Sequence, residues 1–246
     1  MLVPAFFFAV VGVILGQAAT GDDSKVAFRA ESPASQPALP AEGQAGAVES
    51  QFKKGVDAFT RGNWDLAQTD FEKVLEAEPK HFGALVHSGW VAQSRADWPA
   101  MEKFMREALR VGPLAVDNAA IWIGWGFAAL EQEKWEQATA AFAQAVALEP
   151  SNARGRRLLA LVLGRRGWFQ AAEDEMRRAL QLEPDDAGAH FNLAVFYLQR
   201  QPVAVELARR HYYRALDLGF AADPEVEAQF KSTRDEVPGA SKPPKR

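Results

Sequence analysis

No cysteine occurs in the 246 residues. A disulfide framework, a thiolate nucleophile, a zinc knuckle and an iron–sulfur site are therefore excluded, since each needs a sulfur this chain does not have. Histidine is scarce as well, with four in all, and neither a bound metal nor a cofactor is expected. Basic charge is not concentrated: 28 Lys and Arg stand against 32 Asp and Glu, a net charge of −4. Nucleic acid is not expected as a partner, because neutralising phosphates takes a concentrated basic face.

Apolar runs are short. Residues 2–15, LVPAFFFAVVGVIL, carry no charge or amide side chain, but fall below the roughly 20 residues that cross a hydrocarbon core. Small residues follow, so residues 1–19 are expected to be a secretory signal peptide cut after Ala18 or Ala19. No Lys or Arg precedes the run, which leaves an uncleaved membrane anchor as the alternative. Residues 20–47 are rich in Ala, Pro, Ser and Gly without apolar periodicity and are expected to form a disordered linker. Residues 231–246 hold five basic residues, two acidic residues and three prolines, and are expected to be a disordered tail.

The stretch between these flanks is periodic. Pro79, Pro113, Pro150 and Pro184 are spaced by 34, 37 and 34 residues, and Trp64, Trp98, Trp135 and Phe169 keep the same steps. Three residues after each aromatic stands Ala67, Met101, Ala138 or Ala172, and four further on Phe71, Met105, Phe142 or Met176. Gly55, Gly89, Gly126 and Ala160 align on the preceding helix of each unit. Small residues at paired positions let two antiparallel helices approach, and the closing proline ends the second helix.

A 34-residue period with these teeth resembles the tetratricopeptide repeat family over about three quarters of the chain. The resemblance implies an all-α, right-handed superhelical solenoid of helix hairpins, covering residues 48–230. Four units span 48–81, 82–115, 119–152 and 153–186, with a three-residue insertion at 116–118. A degenerate fifth unit spans 187–222. It lacks its closing proline, has Phe220 there, and has a turn lengthened by two residues near Pro202. A capping helix at 223–230 is expected to start on Asp223 and Pro224 and to pack with Val226 and Phe230.

No nucleophile with its base, no carboxylate pair and no phosphate-cradling glycine loop is visible, so no enzymatic activity is expected. Gly62, Gly112 and Gly167 fall in turns. In the resembled family, first helices line the concave side and contact protein or peptide ligands, which is the partner class implied here. The concave positions hold Phe52, Val56, Val86, Trp90, Ile123, Phe127, Leu161, Phe191 and Val195, a hydrophobic stripe suited to an apolar peptide. The opposing reading buries them between adjacent first helices, and both stay open at this stage. Arg154, Arg157 and Arg165 also map to concave positions, beside Arg156 and Arg166. They suit an acidic ligand, or else pair internally with Glu173, Asp174 and Glu175. The carboxylate clamp of chaperone-adaptor relatives is absent, because its positions hold Phe52, Val56, His87, Ala120 and Gly124.

Two placements follow. One is an exported scaffold in the periplasm or envelope of a bacterium. The other is a membrane-tethered structural component held by a retained start, and the membrane is a partner only in that case.

Overall fold

The computed structural model describes residues 42–111 and 117–235, and among them every regular element is an α-helix. The described residues form two compact units, 42–162 and 163–235. The signal segment, residues 20–41 of the linker, Gly112 and residues 236–246 of the tail lie outside them.

In the first unit α1 (Glu42–Thr60) pairs with α2 (Trp64–Ala77), α3 (Phe82–Ser94) with α4 (Trp98–Val111), and α5 (Ala119–Glu131) with α6 (Trp135–Leu148). α7 (Ala153–Arg165) carries the boundary. In the second unit are α8 (Phe169–Leu182), the hairpin of α9 (Ala187–Gln199) and α10 (Val205–Asp217), and α11 (Pro224–Asp235). The periodic aromatics Trp64, Trp98, Trp135 and Phe169 each head a second helix.

The aligned glycines have a steric cause. A Cβ on Gly55 would stand 2.6 Å from the Phe71 ring, on Gly89 2.6 Å from Met105, and on Gly126 2.7 Å from Phe142. Each partner is fully buried, so the large residue of the second helix lies on bare backbone of the first. Second helices then pack on the next first helix, α2 on α3, α4 on α5 and α8 on α9.

The joints between units are built by side-chain caps. Two residues after three of the prolines stand His81, Asn152 and Asp186. Their side chains accept from Ala84 N (3.1 Å), Gly155 N (2.8 Å) and Asp186's own third neighbour Ala189 N (2.8 Å). Asn118, the last residue of the insertion, caps α5 by accepting from Ala120 N at 3.0 Å. Each cap satisfies an orphan donor of the first turn, so proline stops one helix and the cap starts the next. In the hairpin turns Gly62 and Gly167 have φ of 72° and 77°, and the equivalent Ala96 and Glu133 adopt 54° and 58°. The left-handed residue is thus required by the turn, with glycine in only two of these four.

Two boundaries differ from expectation. α1 starts at Glu42, six residues inside the stretch assigned to the linker, because Glu, Gln and Ala follow the last proline, Pro40, and favour helix. α11 runs to Asp235, five residues past the expected end of the capping helix and into the stretch assigned to the tail. The next proline is Pro238. Asp223 caps α11 by accepting from Glu225 N (2.8 Å) and Val226 N (3.2 Å), and Val226 and Phe230 are buried.

Candidate functional site

The expected hydrophobic stripe separates into two sets. Val86, Ile123, Leu161, Phe191 and Val195 are between 0 and 6 % exposed and belong to the core, so they offer no contact surface and the groove assignment is corrected for all five. Phe191 is covered within its own hairpin and the segment after it, by Tyr212 and by Phe220 at 4.4 Å; for Val86 and Ile123 the cause is close approach of neighbouring first helices at small residues. Gly83 of α3 lies under the Phe52 ring, where a Cβ would be 2.6 Å away, and Gly124 of α5 lies under Trp90 and Met105, at 3.1 and 3.0 Å. With the backbones that near, flanking side chains are covered by the next helix.

Phe52, Val56, Trp90 and Phe127 remain half-buried. To these the structure adds Phe59, one helical turn beyond Val56 on α1 and also half-buried. Periodicity alone pointed to it, since it occupies another concave position of the first unit. The patch lies on α1, α3 and α5. Its rings are braced from behind: Phe127 meets Trp98 edge-on at 5.6 Å, and Phe59 meets Trp64 edge-on at 5.2 Å. Lys53 and Ser94 are exposed on the same helices, and Gln93 and Glu131 are half-buried.

His87 sits behind the patch within an aromatic cage. Its ring lies 5.5 Å from Phe52, 5.3 Å from Phe59 and 5.3 Å from Phe71, and its Nδ1 donates to Gly83 O at 2.8 Å. Burial lowers its pKa. The Gly83 hydrogen bond opposes this and the charge of His81 adds to it, leaving the pKa below the ordinary value. Neutral His87 is thus a packing group of the patch.

The arginines stand elsewhere. Arg154, Arg157 and Arg165 are half-buried and engaged by other groups of the protein. Arg156 Nε donates to Pro150 O at 2.7 Å, and Arg166 stacks 3.9 Å over the Trp168 ring. Glu173, Asp174 and Glu175 have arginine partners on their own helix and at the end of α9. Glu173, 1 % exposed, pairs with Arg177 and with Arg200 (2.9 Å), Asp174 lies 3.7 Å from Arg177, and Glu175 lies 2.6 Å from Arg178.

Arg200 belongs to a recurrent clasp. The residue that ends a first helix reaches back to an acid on the preceding second helix: Arg95 to Asp65 (2.6 Å), Gln132 to Glu102 (3.0 Å) and Arg200 to Glu173. Lys134 (2.6 Å) and Arg106 (3.3 Å) also bind Glu102. Burial pushes the Glu102 carboxyl up, but Lys134, Gln132 and Arg106 outweigh it and hold it below the usual carboxylate range. Among the described residues no three His, Asp or Glu side chains converge as a metal site, and no helix is long and apolar enough to cross a membrane.

Comparison with known proteins agrees with this architecture. The family profile described as tetratricopeptide repeat matches residues 52–116, 123–174 and 158–226. Among solved structures, a crystal structure of MamA protein superposes with a TM-score of 0.64 at 18 % identity, covering 73 % of this chain and all of that one. YrrB, described as a TPR protein with an unusual peptide-binding site, superposes with a TM-score of 0.64 at 19 % identity, covering 78 % of this chain and all of its own. A further MamA structure, AMB-1 P212121, gives 0.61 at 22 % identity, covering 75 % and 98 %. These likenesses are of fold. No curated protein sequence matches the chain.

Proposed function

The chain belongs to the tetratricopeptide repeat family, an all-α solenoid class, and from that premise we propose that it is a non-enzymatic scaffold binding a protein or peptide partner. The observation that carries this reading is the row of half-buried Phe52, Val56, Phe59, Trp90 and Phe127 on three first helices of one unit. Side chains partly covered and braced by other rings offer rigid apolar contact at little entropic cost. An extended or helical peptide with spaced apolar residues is the ligand chemistry they fit. The peptide-binding description attached to YrrB supports the class of partner.

The test uses peptides selected from a random display library against the full chain. Trp90→Ala with Phe127→Ala is expected to weaken them at least tenfold, with helical circular dichroism retained. Leu66→Ala, outside the patch, should leave them unchanged. Equal affinity in the double variant would falsify the site.

Export is part of the same proposal, with residues 1–19 as the signal and the periplasm or envelope as destination. The absence of Lys or Arg before the apolar run favours a second reading, a tethered component of an envelope assembly. N-terminal sequencing of the mature protein separates them. A start at Ala19 or Thr20 removes the tether, and an intact start removes the cleaved, exported form.

A further inference from the structure

Within the fifth hairpin, His190 of α9 and His211 of α10 face each other with their Nδ1 atoms 2.9 Å apart and their rings stacked at 5.1 Å. In the first hairpin the same two repeat positions hold Gln51 and Asp70, bonded at 2.7 Å, and in the second Leu85 and Phe104. This is therefore a point where the two helices of a hairpin are held together.

The proton count on the pair is constrained. Pro184 O, 3.0 Å from His190 Nε2, can only accept, so that nitrogen carries its hydrogen. One hydrogen also lies between the two Nδ1 atoms, which in the neutral pair puts it on His211 with His190 Nδ1 accepting. A first extra proton leaves this bond intact, since a charged ring donates to a neutral one. A second places two N–H groups and two positive charges face to face.

Burial and two neighbouring arginines oppose that second charge, while the nearby Glu173 carboxylate is already taken up by Arg177 and Arg200. Arg210 lies beside His211 on α10, and the His211 ring stacks on Tyr197 of α9 at 5.7 Å. Arg177 of α8 binds the Tyr197 hydroxyl at 2.8 Å, with the buried Glu173 carboxylate held between Arg177 and Arg200. Burial, then His190, Arg210 and Arg177, depress the His211 pKa to about 4.

We propose that the His190–His211 contact is an acid-sensitive clasp that holds α9 to α10 near neutral pH and opens the fifth hairpin when both rings are charged. The sign follows from linkage. With a depressed folded pKa, the unfolded chain takes up the proton first. Stability is therefore unpenalised above pH 6.5 and falls as pH drops from 6.5 toward about 4.

The test is amide hydrogen exchange on the full chain, corrected for intrinsic rates and referenced to α5 and α6, which contain no histidine. Protection in α9 and α10 should fall roughly 100-fold between pH 7 and pH 4. H190L/H211F, which installs the Leu85 and Phe104 pair of the second hairpin, should abolish that fall. The same loss in the double variant, or none in the natural chain, overturns the proposal. Should the variant not fold at pH 7, nuclear magnetic resonance titration of the histidine rings in the natural chain decides. Two coupled steps, the second well below 6.5, support the clasp, and two independent titrations near 6.5 refute it.

Discussion

The first and fifth hairpins close their repeat arrays by opposite means. Where α5 carries Trp125 and Gln132, which meet Arg106 and Glu102 of the preceding hairpin, the same repeat positions of α1 carry Lys54 and Arg61, with Asp57 between them. Arg61 turns to its own helix and pairs with Asp57 at 2.7 Å. The first hairpin thus ends on a polar face that water can cover. On the other hairpin Phe191, Tyr212 and Val195 remain apolar and buried, and α11 supplies the cover with Val226 and Phe230. Terminal repeats need a soluble outer face, and the two hairpins show that it is reached either by changing the residues or by adding a helix.

The largest expected effect is at the covered end. Tyr212→Ala removes a fully buried ring, 5.5 Å from Phe230, and the hydroxyl that accepts from Asp223 N at 2.8 Å and donates to Glu227 Oε1 at 3.2 Å. A loss of about 4 kcal/mol is expected. Hydrogen exchange should show it in α10 and α11, with α1 and α2 unaffected.

Phe230→Ala should cost about 3 kcal/mol in the same readout. Leu66→Ala, at a side chain 49 % exposed on the polar end, should cost less than about 0.5 kcal/mol. Equal losses at the two sites would erase the contrast between the ends.

The clasps sharpen it further. Glu173→Gln, at 1 % exposure between two arginines, should cost about 2 kcal/mol in denaturant unfolding. Asp65→Asn, 96 % exposed, should leave the midpoint unchanged although its contact with Arg95 is shorter than that of Glu173 with Arg200.

A small effect, seen only as a pH dependence, is expected at His87. Its folded pKa is lowered, so protons bind the unfolded chain first and stability near the first hairpin declines as pH falls below 6.5. His87→Phe should flatten that decline, and an unchanged pH profile of thermal unfolding would show that the aromatic cage does not resist charging.

Much of this was readable in advance because it depends on contacts within one unit. The glycines at 55, 89 and 126 face Phe71, Met105 and Phe142 at a fixed sequence offset, so spacing alone identifies the pairs. Asp223 and the apolar Val226 and Phe230 likewise announce α11 from a local pattern. Exposure at the concave positions was not readable. Val86 is buried while Trp90, one helical turn away, is only half-buried. The difference comes from how near the next first helix comes, which Gly124 of the following unit controls where it meets Trp90.

The amino-acid order by itself determined the repeat period, the helix class and the hairpin partners, because turn residues, caps and small–large pairs act over short separations. Only the tertiary structure decided which apolar side chains form a surface, which acids receive an arginine from the next unit, and that His190 meets His211. Those outcomes depend on distances between helices that no local pattern encodes. In stacked hairpins such distances are summed over several packed side chains at once.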